Sequence, residues 1–257
     1  MDGIGVKIGA DERLDEVNEH ITLIQKKEGL TFGTDAYLLA SFVRPLPRGR
    51  AVELGAGSGI VSLLCAAKGR FSHIFSVEIQ EDFASLISRN VSLNGMEDRI
   101  SVRHADARDL RPVDFGGEVD AVFANPPYMR TDSGARNESD YKYIARHEVF
   151  GGIGDFCLSA SRLLKTGGKF YCVWRPDRLG ELMEGLTQSH LAPKRMTFVH
   201  ADVMSEPSMV LVEASKEGGK GMRVTRPLFL YEKEADGKTR IESADARQIY
   251  ETMSFQL

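Results

Sequence analysis

Residues 50–59 read RAVELGAGSG, a short apolar run that ends in three alternate glycines, Gly55, Gly57 and Gly59. Glycine tolerates the backbone angles of a very tight turn and lets a ligand approach the main chain closely. The residues that follow, roughly 59–68, carry apolar side chains at helical spacing. The stretch therefore predicts a strand, a glycine loop and a helix, the first unit of a sheet built from parallel strands and crossover helices.

The same alternation continues downstream. HIFSVEI (73–79) reads as a strand, followed by a helix over 81–94 that ends at Asn94-Gly95, then ISVRHAD (100–106) and VDAVFA (119–124). A helix over 155–165 is expected to stop at Gly167-Gly168 and feed KFYCVW (169–174). A further helix starts at Asp177, and two strands close the series, RMTFVHA (195–201) and SMVLVEAS (208–215). The link between those two is too short for a crossover helix, so they must be antiparallel neighbours. The expectation is α/β: a Rossmann-like seven-stranded sheet with one antiparallel strand and helices on both faces, over residues 50–215. Residues 1–49 read as a hairpin and a helix packed on that domain, and 216–257 as a basic loop and C-terminal extension. The polar connection 129–150 is long enough to suggest a functional loop.

Composition narrows the classes. At 257 residues the chain can bury a substantial core, and its net charge of −4 provides no global attraction for a polyanion. Cys65, Cys157 and Cys172 are widely spaced inside apolar runs and read as reduced core residues. The histidines show no metal-ligand spacing with them, so no metal is predicted. The N-terminus lacks a signal-peptide pattern and no run approaches the ~20 apolar residues of a membrane span, so a cytoplasmic protein is expected. A monomer is compatible with these features.

The glycine loop is specific by what it lacks. A dinucleotide fingerprint needs a glycine three residues after Gly57, where Ile60 stands, and no Gly-Lys-Ser/Thr follows to make a P-loop. Its companions are acidic. Glu78 closes the second strand, where a carboxylate can accept from both ribose hydroxyls. Asp106, followed by Ala107, ends the third, where it can accept from an adenine amine. Glu53 precedes the loop and can face an ammonium. Singly, each is an ordinary strand-end acid. Together they describe a ligand with an adenosine, a cationic tail and no phosphate.

One further stretch, ANPPYMR (124–130), follows the fourth strand. Two consecutive prolines fix φ and donate no N–H, so the strand must end at Asn125 and continue as a stiff extended elbow reaching Tyr128.

Over roughly residues 50–215 the chain resembles the class I S-adenosylmethionine-dependent methyltransferases, on ELGAGSG (53–59), Glu78 and Asp106. NPPY (125–128) is similar to the signature of members that methylate a planar nitrogen, the amino group of a base or a glutamine amide. With GLTFGTDAYLLASFV (29–43) and ARHE (145–148), the chain looks most like the bacterial valine-tRNA adenine-N6 methyltransferases. The resemblance implies S-adenosylmethionine as donor, S-adenosylhomocysteine as product and tRNA or another structured RNA as substrate. It implies Asn125, Pro126, Pro127 and Tyr128 as the catalytic elbow. Glu53, Gly55, Gly57, Gly59, Glu78, Asp106, Ala107 and Asn125 would hold the donor.

The chemistry is consistent with that elbow. An adenine amine is a poor nucleophile because its lone pair is delocalised into the ring. The Asn125 side-chain oxygen and the Pro126 carbonyl can each accept one of its N–H groups, and Tyr128 offers a stacking face. No strong base is needed, so His147 is read as a structural loop residue. For RNA, the cations Lys220, Arg223 and Arg226 of KEGGKGMRVTR (216–226) are the expected phosphate contacts. Two rival readings stay open: N5-methylation of a glutamine in a release factor, and a non-catalytic donor- or RNA-binding module.

Overall fold

The structure is a computed structural model, and it describes residues 6–27, 33–126, 151–233 and 239–255. In chain order the elements are β1 (Glu12–Asn18), β2 (Ile21–Lys26), α1 (Thr34–Phe42), β3 (Leu46–Leu54), α2 (Ile60–Ala67), β4 (Phe71–Glu78), α3 (Glu81–Leu93), β5 (Ile100–His104) and β6 (Val119–Ala124). Then follow α4 (Ile153–Leu163), β7 (Leu164–Trp174), α5 (Leu179–Gln188), β8 (Leu191–His200), β9 (Pro207–Lys216), β10 (Arg223–Val224), β11 (Leu228–Phe229), β12 (Tyr231–Lys233), β13 (Arg240–Glu242) and α6 (Ala244–Thr252).

The central sheet runs β10-β8-β9-β7-β6-β3-β4-β5, with β11 also paired to β8. β9 is antiparallel to both of its neighbours, and the pairs β3–β4, β3–β6, β4–β5 and β6–β7 are all parallel. The expected sheet with one reversed strand is therefore present. Two short strands are added to its β8 edge from the segment expected to be a loop.

Strand alternation divides the core into two layers. Ala51, Phe123, Tyr171 and Leu211 face α1, α2 and α3 on one side. Val52, Leu54, Val122, Phe170 and Trp174 face α4 and α5 on the other. Both faces are buried, as a parallel sheet requires. Cys65, Cys157 and Cys172 are buried and unpaired within these layers.

One boundary departs from expectation for a clear reason. Helix α4 stops at Leu163 and β7 begins at once, so Gly167-Gly168 do not end a helix. The register jumps from Val119↔Leu164 to Ala121↔Lys169. Gly167 takes a positive φ, and a Cβ on Gly168 would lie 2.8 Å from the Lys165 carbonyl oxygen. The glycines serve a β-bulge inside the strand.

The hairpin of β1 and β2 is tied to α3 by two asparagines. Asn94 Oδ1 accepts the Thr22 N–H at 3.0 Å, and Asn90 Oδ1 accepts the Ile24 N–H at 2.7 Å. Asn90 Nδ2 donates to both the Ile24 and the Ser58 carbonyls at 3.0 Å. Fully buried, Asn90 thus links the N-terminal hairpin to the glycine loop. Among the described residues no helix is long and apolar enough to cross a membrane.

Candidate active site

The glycine loop sits at the carboxyl end of β3, between β4 and β6 in the sheet. Gly55, Gly57 and Gly59 have φ of 68°, 57° and 82°, the left-handed region that only glycine enters cheaply. The turn is closed by the Gly59 N–H donating to the Ala56 carbonyl at 2.8 Å. A Cβ on Gly59 would meet Ile87 of α3 at 2.8 Å, so this glycine also permits close helix packing. A Cβ on Gly57 would meet nothing within 4 Å. Space for a ligand therefore opens at Gly57.

Glu78 ends β4 beside the loop and is buried. Its Oε2 accepts the Gly57 N–H at 2.9 Å and its Oε1 accepts the Gln80 N–H at 3.0 Å. Each carboxylate oxygen accepts more than one bond, so the residue can hold the loop and still receive ribose hydroxyls. Asp106 follows β5, next along the sheet, and Ala107 beside it is half-buried. The Asp106 carboxylate receives the Arg108 guanidinium on both oxygens, with Nε at 3.0 Å from each. That guanidinium, foremost by hydrogen bonding, holds the Asp106 carboxyl below the usual range. An adenine amine reaching Asp106 must share it with Arg108.

Glu53 is placed otherwise than expected. It alternates with Ala51 on the α2 face of the sheet and is 2 % exposed. Its Oε2 accepts the Ser62 N–H at 3.0 Å and the Ser62 hydroxyl, which in turn accepts the Ser76 hydroxyl at 2.7 Å. Burial pushes its carboxyl up to about 8, against the opposing Ser62 bonds. Buried and held by Ser62, the side chain is a prop beneath the loop whose neutral form burial favours.

Asn125 follows Ala124, the register partner of Leu54, so it stands directly beside Gly55. Its Nδ2 donates to Asp35 Oδ2 at 2.9 Å. Pro126 behind it is buried. Pro127, Tyr128 and His147 lie outside the described residues. The rim thus gathers Asn125, the glycine loop, Glu78 and Asp106 on four adjacent strand ends.

Lys220 and Arg223 are not brought to this rim. Lys194 Nζ donates to the Gly219 carbonyl and, at 3.3 Å, to that of Gly221, and Arg223 pairs with Arg195 in register. These contacts fix the basic stretch beside residues 194–196 of β8. From Lys194 to His200 the strand climbs six residues, about 20 Å, toward the rim. Arg226 lies further along but is paired through both terminal nitrogens with Asp245.

Two site residues escaped the sequence reading, Asp35 and Asn90. Asn90 carried a signal, a polar residue on the apolar face of α3 beside Ala84, Leu86, Ile87 and Val91. Asp35 resembled an ordinary first-turn helix acid and carried none.

Comparison with known proteins gives this geometry a family. Residues 46–131 match the model of the TRM5/TYW2 methyltransferase domain. A tRNA1(Val) (adenine(37)-N6)-methyltransferase of Shewanella amazonensis is 31% identical over 188 residues, 73% of this chain and 79% of the relative. The chain belongs to this family. A relative of the same name from a Flavobacteriaceae bacterium is 26% identical and covers 82% of this chain and 87% of its own length. Among solved structures, a predicted O-methyltransferase from Agrobacterium tumefaciens superposes with a TM-score of 0.68 at 22% identity, covering 87% of this chain and 98% of that one. TYW2 of P. horikoshii in complex with MeSAdo gives 0.57 at 17% identity, covering 82% and 73%. These likenesses carry the fold. This member of the methyltransferase family is an enzyme that uses S-adenosylmethionine, and the open glycine loop flanked by carboxylates fits that donor.

Proposed function

We propose that the enzyme methylates the exocyclic N6 of an adenine in tRNA, with adenine 37 of tRNA1(Val), named in its relatives, as the target. The observation that carries this reading is Asn125 standing at the end of β6, one strand from the glycine loop, at the start of NPPY. A cytoplasmic location suits such a substrate.

The described geometry supports the roles of the glycine loop, Glu78, Asp106 and Asn125, and the sequence alone supports those of Pro127 and Tyr128. Gly55, Gly57 and Gly59 give the donor access to the main chain, Glu78 receives the ribose, and Asp106 with Ala107 borders the adenine. When bound, S-adenosylmethionine supplies an electrophilic methyl on a sulfonium and departs as S-adenosylhomocysteine. Asn125 Oδ1 and the Pro126 carbonyl each accept an N–H of the target amine, which turns the nitrogen lone pair toward the methyl. Pro127 stiffens the elbow and Tyr128 stacks on the extruded base. Alignment is the main catalytic contribution, and the amine releases its surplus proton to water after transfer. Lys220 and Arg223, at the far edge of the sheet, take phosphates distant from the target base, and Arg226 contributes less because Asp245 compensates it.

Turnover with methyl-labelled donor on unmodified total tRNA, ribosomal RNA and a release factor tests the proposal. Label in tRNA recovered as N6-methyladenosine is expected. Label in release-factor glutamine, or none in any substrate, overturns it.

A further inference from the structure

We infer that Asp35 is a positioning residue that fixes the orientation of the Asn125 carboxamide, and the inference rests on the proposed amine methylation at Asn125. The contact joins residues 90 positions apart, Asn125 Nδ2 donating to Asp35 Oδ2 at 2.9 Å. A carboxamide has two faces of opposite polarity, and its rotation by half a turn would exchange acceptor for donor. The target amine has two N–H groups to place, so an acceptor is useful and an NH2 would repel it. An ionised carboxylate only accepts. Asp35 therefore selects the rotamer with nitrogen toward itself and Oδ1 turned away.

The anchor itself is built to stay in place. Asp35 lies in the first turn of α1, whose residues Ala36–Phe42 are all buried. The Tyr37 hydroxyl donates to the Tyr250 carbonyl at 2.6 Å, and the two rings meet edge to face at 5.5 Å. Helix α6 thus braces α1 from the C-terminal extension. Gly33, the residue that precedes α1, makes room: a Cβ there would lie 2.8 Å from Asp35 Oδ1. The N-terminal helix is consequently part of the catalytic apparatus through one side chain, without touching the reacting atoms.

The test is a reciprocal exchange. Asp35→Asn removes the selection at almost constant volume and should lower kcat roughly ten- to hundredfold, the worth of a hydrogen bond to a charged group. Donor affinity by calorimetry should stay within about twofold of wild type. Asn125→Asp alone places two carboxylates in direct contact and should be the poorer enzyme. The double variant Asp35→Asn with Asn125→Asp restores a nitrogen facing a carboxylate, and its kcat should exceed that of Asn125→Asp at least about tenfold. A wild-type kcat in Asp35→Asn, or a double variant no better than Asn125→Asp, overturns the inference. So does a loss of donor affinity that accounts for the whole defect, which would make Asp35 a donor contact. The contact is also read without turnover, by NMR of the Asn125 side-chain amide. Its protons should exchange slowly in the wild type and quickly in Asp35→Ala. Equal exchange in both overturns the inference, whereas a wild-type enzyme inactive on every tRNA overturns only the proposed function.

Discussion

Glu53→Gln should make the enzyme more stable at neutral pH, and the gain should grow with pH. The Glu53 carboxyl ionises at about 8 in the fold, against an ordinary value of 4.5, because the side chain is buried beneath the glycine loop. Between those two values the folded chain holds a proton that the unfolded chain releases, so each step up in pH favours unfolding. At ~1.4 kcal/mol per pH unit, the wild type forfeits about 1 kcal/mol at pH 5 and about 3 kcal/mol at pH 7. Above pH 8 the loss levels off near 5 kcal/mol. Below 4.5 the effect vanishes. Glutamine carries no charge, and its Oε1 can accept both Ser62 bonds, so the variant lacks this dependence. Urea denaturation followed by circular dichroism at pH 5, 6, 7, 8 and 9 measures the difference directly. The two stability curves should diverge from pH 5 to pH 8 and then run parallel. Curves parallel throughout would mean that Glu53 is ionised in the fold and that the buried, protonated prop is wrong.

Other outcomes follow from individual contacts. Asn90→Ala leaves the Ile24 N–H, the Ile24 carbonyl and the Ser58 carbonyl without their side-chain partner, and should cost about 2–4 kcal/mol in denaturant titrations. Glu78→Ala removes both the proposed ribose acceptor and the anchor of Gly57, and should weaken S-adenosylmethionine binding at least about tenfold by calorimetry. Neutralising Lys220 and Arg223 together should reduce the log–log salt slope of tRNA binding by up to about two units, with donor affinity unchanged. Adding Arg226→Ala should change the slope little more, since Asp245 already compensates that charge.

What the sequence determined by itself was local or periodic. Three alternate glycines after RAVEL demanded a left-handed turn, because only glycine enters those angles without steric cost. Two prolines after Asn125 ended β6 because proline has no N–H for the ladder. The short link between RMTFVHA and SMVLVEAS forced an antiparallel pair, which the β8–β9 ladder shows. The acids Glu78 and Asp106 were placed at adjacent strand ends by the same counting. Tertiary structure decided whatever depended on which side chains meet across the chain. Glu53 turned inward because strand parity puts it with Ala51 on the face that α2 covers, and Ser62 was waiting there. Lys220 and Arg223 went to the lateral edge of the sheet because β10 pairs with the middle of β8, a register no local pattern encodes. Gly167 and Gly168 entered a bulge because β7 must keep step with β6. Asp35 reached Asn125 only because α1 packs at the mouth of the sheet: a hydrogen bond between residues 90 apart has no trace in spacing or composition, since it exists only once both backbones are in place.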